Sequence, residues 1–88
     1  MSASANLILA YKVENHLSYR ELAERINKIL ALRAYGPRSV THAAVHHWAR
    51  GISCPDPLTM EFVATHGDDE SLSRLAQDVL AVSYPTPA

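Results

Sequence analysis

The sequence predicts an all-α fold of five helices in one small domain. Apolar residues recur at spacings of three and four along the 88-residue chain, and no stretch alternates apolar and polar residues for long. Signals for helix starts and stops divide this pattern into five segments. An apolar fraction of 48% and a near-balanced charge exclude a disordered chain. We expect one compact domain over residues 1–82, followed by a flexible tail over residues 83–88.

The first two predicted helices have clear start signals. The first spans about residues 4–15, and Ser4 can serve as its N-cap. The second begins after Ser18, which has capping-box spacing to Glu21, so that each side chain can bond the other's free backbone N–H. We expect the Gly36–Pro37 pair to end it, because Gly accepts a left-handed C-cap and Pro cannot continue the helix. The apolar residues that these helices should turn toward the core are Leu7, Ile8, Tyr11, Leu22, Ala23, Ile26, Ile29 and Leu30.

The other three helices are marked by caps. The third spans about residues 40–50, with Ser39 or Thr41 as its N-cap and Gly51 at its end. The fourth begins at Asp56–Pro57, an N-cap followed by Pro at the first helical position, where no N–H is needed. The fifth follows a run of three acidic residues, which suit a helix N-terminus. The residues that these helices should bury are Val45, Trp48, Leu58, Phe62, Val63, Leu72, Leu75, Ala76, Val79 and Leu80.

Composition and charge narrow the function. One cysteine cannot form an internal disulfide and no apolar run is long enough to span a membrane, so we expect a soluble, cytoplasmic domain. Residues 1–50 carry seven basic and three acidic side chains, whereas residues 51–88 carry one basic and six acidic. The basic half favours a polyanion as partner. The alternative is that the basic and the acidic half each form an ordinary solvated surface without such a partner.

The third helix carries the most informative side chains. At 100° per residue its apolar residues fall on one side and a polar set falls on the other. Such a helix suits major-groove recognition, because Arg can bond N7 and O6 of guanine and His can donate to the same acceptors. We expect Arg38, Ser39 and Thr41 to contact phosphate. An ordinary amphipathic surface helix is the alternative. The residues expected to read bases are His42, Ala43, His46, His47 and Arg50.

Residues 39–55 read S-V-T-H-A-A-V-H-H-W-A-R-G-I-S-C-P. This segment resembles the recognition helix of the Cro and phage-repressor family (lambda-repressor-like, XRE-type helix-turn-helix proteins), whose pattern is roughly V-S-x-x-x-V-x-x-W-x-x-G-x-x-x-P. The resemblance implies a lambda-repressor-like fold with the motif in the second and third helices. It also implies a phage-like transcriptional regulator, a repressor that binds an operator in double-stranded DNA. The matched positions are Val40, Thr41, Val45, Trp48, Gly51 and Pro55.

One departure from the family concerns the connection before the third helix. Val45 stands 22 positions after Ala23, whereas the family has a shorter spacing between the corresponding residues. Either the second helix extends to about Ala34, or a loop that contains residues 35–38 is inserted. The two alternatives differ in the angle that they set between the motif helices.

A metal site is the main competing hypothesis for the histidines. His42 and His46 stand four apart, where two imidazoles can share a zinc ion, and His47, Cys54 and His66 lie nearby in sequence. No carboxylate lies among them, and we expect Cys54 to be a small, semi-buried residue. The sequence therefore predicts no metal and no cofactor. We find no catalytic triad, phosphate-binding glycine loop or inward carboxylate pair, and expect no enzyme activity.

The fifth helix bears on assembly. Its apolar stripe, which includes Val82, is wider than one neighbouring helix would cover. The stripe could form an interface with a second copy of the chain, or it could pack entirely into the core. A two-fold interface through this helix would place two recognition helices about 34 Å apart on one face of DNA. We therefore expect a homodimer. The alternative function is a protein-interaction module of the antitoxin or anti-repressor type, which the acidic second half favours.

Overall fold

The computed structural model describes residues 3–31, 40–67 and 69–84. Within these ranges it contains no strand, and an all-α fold with five helices is confirmed. No helix among them has the length and apolar character needed to cross a membrane. The helices are α1 (Ala3–Glu14), α2 (Tyr19–Leu30), α3 (His42–Ala49), α4 (Pro57–His66) and α5 (Glu70–Ser83).

The helices enclose one apolar core. α5 packs against α4 and α1, while α2 packs against α3 and α4, and α3 also meets α1. Because α5 lies against two helices, its wide apolar stripe is accounted for without a second copy of the chain. Leu72, Ala76 and Val79 of this stripe are buried, whereas Val82 is 46% exposed. Packing into the core, the alternative to a two-fold interface, thus explains most of the stripe.

The start of α2 is as predicted. Ser18 Oγ accepts a hydrogen bond from the Glu21 N–H at 3.1 Å, and Glu21 Oε1 accepts one from the Ser18 N–H at 3.0 Å. The bonds to Ser18 hold the pKa of the Glu21 carboxyl below its ordinary value. The apolar residues predicted for this helix all lie in the core: Leu22, Ala23, Ile26, Ile29 and Leu30.

The end of α2 differs from the prediction. The helix ends at Leu30, and the N–H of its C-cap Ala31 donates to the carbonyls of Asn27 and Ile29. Of the two alternatives for this connection, an extension of the second helix to about Ala34 is therefore wrong, and residues 35–38 of the other lie outside the described residues. A tertiary contact explains the early end, because the chain returns to α2 at Val40, whose backbone is bound by Asn27. The Gly36–Pro37 pair lies outside the described residues.

The ends of α1 and α3 share one capping motif. α1 begins at Ala3, so Ser4 lies buried inside its first turn and is not the predicted N-cap. α1 closes with a Schellman motif in which His16 adopts a φ of 54° and Leu17 N–H donates to the Lys12 carbonyl at 2.9 Å. α3 closes in the same way at Gly51, whose φ is 74°.

α4 begins as predicted but buries a different face. Asp56 is its N-cap and Pro57 is its first residue. Leu58, however, is 55% exposed, so its predicted place in the core is wrong. The core meets α4 beyond its first residues, at Met60, Phe62 and Val63.

The two ends of α5 are both anchored. At its start, the Asp69 carboxylate accepts a hydrogen bond from the Ser71 N–H at 2.9 Å. At its end, Ser83 is the last helical residue, and the Tyr84 hydroxyl donates to the Pro55 carbonyl at 3.0 Å. The predicted tail thus begins inside a helix, and its residues 85–88 lie outside the described part of the chain.

Candidate nucleic-acid interface

α3 is fixed to the core along one side. Val45, Trp48 and Ala49 are buried, which confirms the apolar side predicted from the helical wheel. Thr41, one of the two residues predicted as N-cap, occupies that position, and its hydroxyl accepts a hydrogen bond from the Ala44 N–H at 3.1 Å. The opposite side of this short helix is therefore held outward.

Four of the five predicted base-reading residues lie exposed on α3 or directly after it. They differ in chemistry: two imidazoles and a guanidinium can form hydrogen bonds, while the alanine allows a surface to approach closely. His46 is the exception, because it is partly buried against another aromatic ring. Arg38 and Ser39, two of the predicted phosphate contacts, lie outside the described residues, whereas Thr41 is exposed. The four exposed residues are His42, Ala43, His47 and Arg50.

A row of side chains joins the outer face of α3 to the two preceding helices. The His46 ring lies 4.9 Å from the Tyr19 ring, centroid to centroid, and 6.3 Å from the His47 ring. Lys12 of α1 places its Nζ 4.8 Å from the centre of the Tyr19 ring, a cation–π contact. We call these four residues the ring row. It brings a lysine from α1 and the first residue of α2 next to the predicted recognition helix.

α3 lies in a part of the sequence that contains basic but no acidic residues. The sequence contains no acidic residue between Glu24 and Asp56, and all of α3 lies inside this interval. Glu21, at the start of α2, is the nearest acidic residue in sequence to Tyr19 on that helix, and its lowered pKa keeps it ionised at neutral pH. The acid-free interval was a signal available from the sequence that the helical-wheel argument did not use.

The histidines were also considered as metal ligands. Among the residues that it describes, no group of three or more His, Cys, Asp or Glu side chains could hold a metal ion. Cys54 is exposed, so its predicted semi-buried position is wrong. His66 packs against Phe62 on α4, with 4.5 Å between the centroids of the tilted rings.

Comparison with known proteins identifies a domain family for this chain. Residues 10–77 match the family described as the SP15 N-terminal domain. This chain belongs to that family. No curated protein and no solved structure shows significant similarity to it. The matched part of this SP15 N-terminal domain runs from within α1 to within α5, and it contains the whole ring row and α3. The resemblance of residues 39–55 to Cro and phage repressors is a separate observation and stays a prediction.

Proposed function

We propose that this protein is a sequence-specific, double-stranded DNA-binding transcriptional regulator, a repressor that occupies an operator through α3. The observation that carries this proposal is the construction of α3. Its apolar side is buried, its other side exposes His42, His47 and Arg50, and no acidic residue lies within it. A helix that is anchored on one side and exposes hydrogen-bonding groups on the other is what recognition in the major groove requires. The resemblance of this segment to the recognition helix of Cro and phage repressors supports the same function.

The dimensions of α3 suit that groove. An α-helix with its side chains is about 10–12 Å across and fits the major groove, which is about 12 Å wide, and eight helical residues extend about 12 Å along it. Such a helix brings three or four side chains to base edges at once. In this proposal His42, Ala43, His47 and Arg50 meet the bases.

The ring row adds contacts to the DNA backbone. Lys12 and the exposed Arg20 lie on the elements that flank α3 at Tyr19, where they can meet phosphates beside the groove. His46, packed on Tyr19, supports the helix and reaches the DNA from its partly buried position. Arg38, Ser39 and Thr41 complete the proposed phosphate contacts at the start of α3.

A homodimer through α5 belongs to the same proposal. The described part of one protomer measures 33 × 32 × 23 Å. A two-fold dimer that reads two half-sites on one face of DNA needs its recognition helices about one DNA turn, or about 34 Å, apart, a distance comparable to the size of one protomer. The exposed apolar side chains at the end of α5, Val82 and Tyr84, are available to a second copy. An operator bound in this way is an inverted repeat.

Selection of bound sequences from a random DNA pool tests the function. We expect enrichment of an inverted repeat, and we expect the enrichment to disappear when His46 and Arg50 are both changed to Ala. A single enriched half-site would keep the function and remove the dimer. No enrichment from well-folded protein would contradict DNA binding and favour the protein-interaction module.

A further inference from the structure

Asn27 of α2 binds both backbone groups of the residue that leads into α3. Its Oδ1 accepts a hydrogen bond from the Val40 N–H at 2.6 Å, and its Nδ2 donates to the Val40 carbonyl at 2.8 Å. A side-chain amide presents a donor and an acceptor in one planar group, so it can pair with a peptide on both sides. Two such bonds fix the rotation of Val40 as well as its distance from α2.

This clamp acts at the end of α3 that is less deeply buried in the core. The fully buried residues of the helix begin at Val45, whereas His42 and Ala43 in the first turn are exposed. The connection from α2 is longer than a tight helix–helix turn, and a longer connection constrains the position of its ends less. Val40 and Ala44 also pack against the core from one side. The Asn27–Val40 pair adds two directional hydrogen bonds to this apolar packing, and these fix how the backbone enters the first turn of α3 relative to α2.

We propose that Asn27 is a positioning residue that places the first turn of α3 for base recognition. This inference rests on the DNA-binding function proposed above. Asn27 acts through Val40 and needs no contact with DNA of its own. Loss of the clamp lets His42 and Ala43 shift against the bases, while the basic side chains that attract any DNA stay in place. Sequence discrimination then falls, and the electrostatic binding that all duplexes share remains.

The test compares Asn27→Leu with a matched variant, Asn15→Leu. Leucine has a similar size to asparagine and forms no hydrogen bond. Asn15 also donates its side-chain amide to a backbone carbonyl, that of Tyr11 at 2.9 Å, but this bond caps α1 and does not reach α3. Affinities for the selected duplex and for a random duplex of equal length are measured at one salt concentration. Circular dichroism establishes beforehand that each variant is folded at the temperature used.

We expect Asn27→Leu to weaken binding to the selected duplex about tenfold or more, as for one lost base contact, and binding to the random duplex less than about twofold. Asn15→Leu should leave the ratio of the two affinities unchanged. If Asn27→Leu leaves the ratio of the two affinities unchanged, whether or not both affinities fall, the positioning role is overturned.

A readout without DNA separates this inference from the proposed function. Residual dipolar couplings measured by NMR report the orientation of α3 relative to α2, and we expect them to change in Asn27→Leu and not in Asn15→Leu. Unchanged couplings would overturn the role of Asn27 by themselves. A wild-type protein that selects no DNA sequence would instead contradict the proposed function, while the couplings would still decide whether Asn27 positions α3.

Discussion

His16 closes α1 in a backbone conformation that suits glycine better than histidine. Its φ of 54° lies in the left-handed region, where a side chain other than glycine is strained. We expect His16→Gly to raise the free energy of unfolding by about 0.5–1 kcal/mol, the relief of strain exceeding the added flexibility of the unfolded chain. Urea denaturation measures the change.

His66→Gly is the matched control for this prediction. His66 is also an exposed histidine at the end of a helix, but it lies within α4, where glycine costs about 1 kcal/mol of helix propensity. The two substitutions should therefore shift stability in opposite directions. A destabilised His16→Gly would show that the imidazole contributes more than its backbone strain costs.

Substitution of the single side chain Arg50 distinguishes base recognition from general electrostatic attraction to DNA. It is the exposed C-cap of α3, directly after the buried Ala49. We expect Arg50→Ala to weaken binding to the selected duplex by about 1–3 kcal/mol and to relax one base position. Fluorescence anisotropy with selected and random duplexes measures both effects. An equal loss on the two duplexes would assign Arg50 to a phosphate.

At the scale of the element, the capping box of α2 makes part of the stability depend on pH. The hydrogen bonds from Ser18 lower the pKa of Glu21 in the folded chain, so the ionised carboxylate favours folding. That contribution is fully present above the ordinary value of 4.5 and is lost as the pH falls through the lowered folded value. Acid therefore weakens the start of α2.

Ser18→Ala tests this capping box. We expect it to lower the free energy of unfolding at pH 7 by about 1 kcal/mol, as for other lost N-caps. The Glu21 pKa should return only part of the way toward 4.5, because the backbone N–H of residue 18, whose bond to the carboxylate is the largest cause of the shift, remains in the variant. NMR titration of the Glu21 carboxyl carbon and urea denaturation at pH 7 measure the two effects. A pKa that does not move in the variant would assign the whole shift to the backbone N–H bond and none of it to the Ser18 hydroxyl.

The elements show which features a sequence of this kind predicts well. The positions of the helices follow from apolar spacing. Capping residues such as Ser18, Thr41 and Asp56 lie directly before the helices whose starts they predict. These signals are local, since each involves residues within four positions of one another. Leu58 shows their limit, because periodicity identifies an apolar face but not how far along a helix the core extends.

Contacts between distant parts of the chain were not predictable in the same way. Asn27 and Val40 lie far apart in sequence, and neither residue type indicates which distant residue it will contact. The helical wheel predicts an outward His46, but the side chain is partly buried, because the ring of Tyr19 at the start of another helix packs against it. The candidate interface was therefore predictable as a helix face, and its neighbours on α1 and α2 were not.

At the scale of the molecule, the uneven charge of the sequence becomes an uneven charge of the fold. The basic residues 1–50 contain α1, α2 and α3, whereas the acidic residues 51–88 contain α4 and α5. The halves meet at an ion pair in which Arg25 Nη1 lies 3.7 Å from an Asp69 carboxylate oxygen. Both side chains are partly exposed, so this pair contributes little to stability. The division of charge between the two halves matters less for stability than for where a polyanion can bind.

Salt dependence tests whether DNA binds the basic half. About six phosphate contacts should give a slope near −5 when the logarithm of affinity is plotted against the logarithm of salt concentration. Arg20→Ala, next to the ring row, should make this slope shallower by about one unit, because one phosphate contact is lost. Arg74→Ala removes the same charge from an exposed position on α5 and should leave the slope unchanged. Equal changes in the two variants would mean that DNA responds to the net charge of the protein, and the assignment of the interface to α1, α2 and α3 would then be wrong.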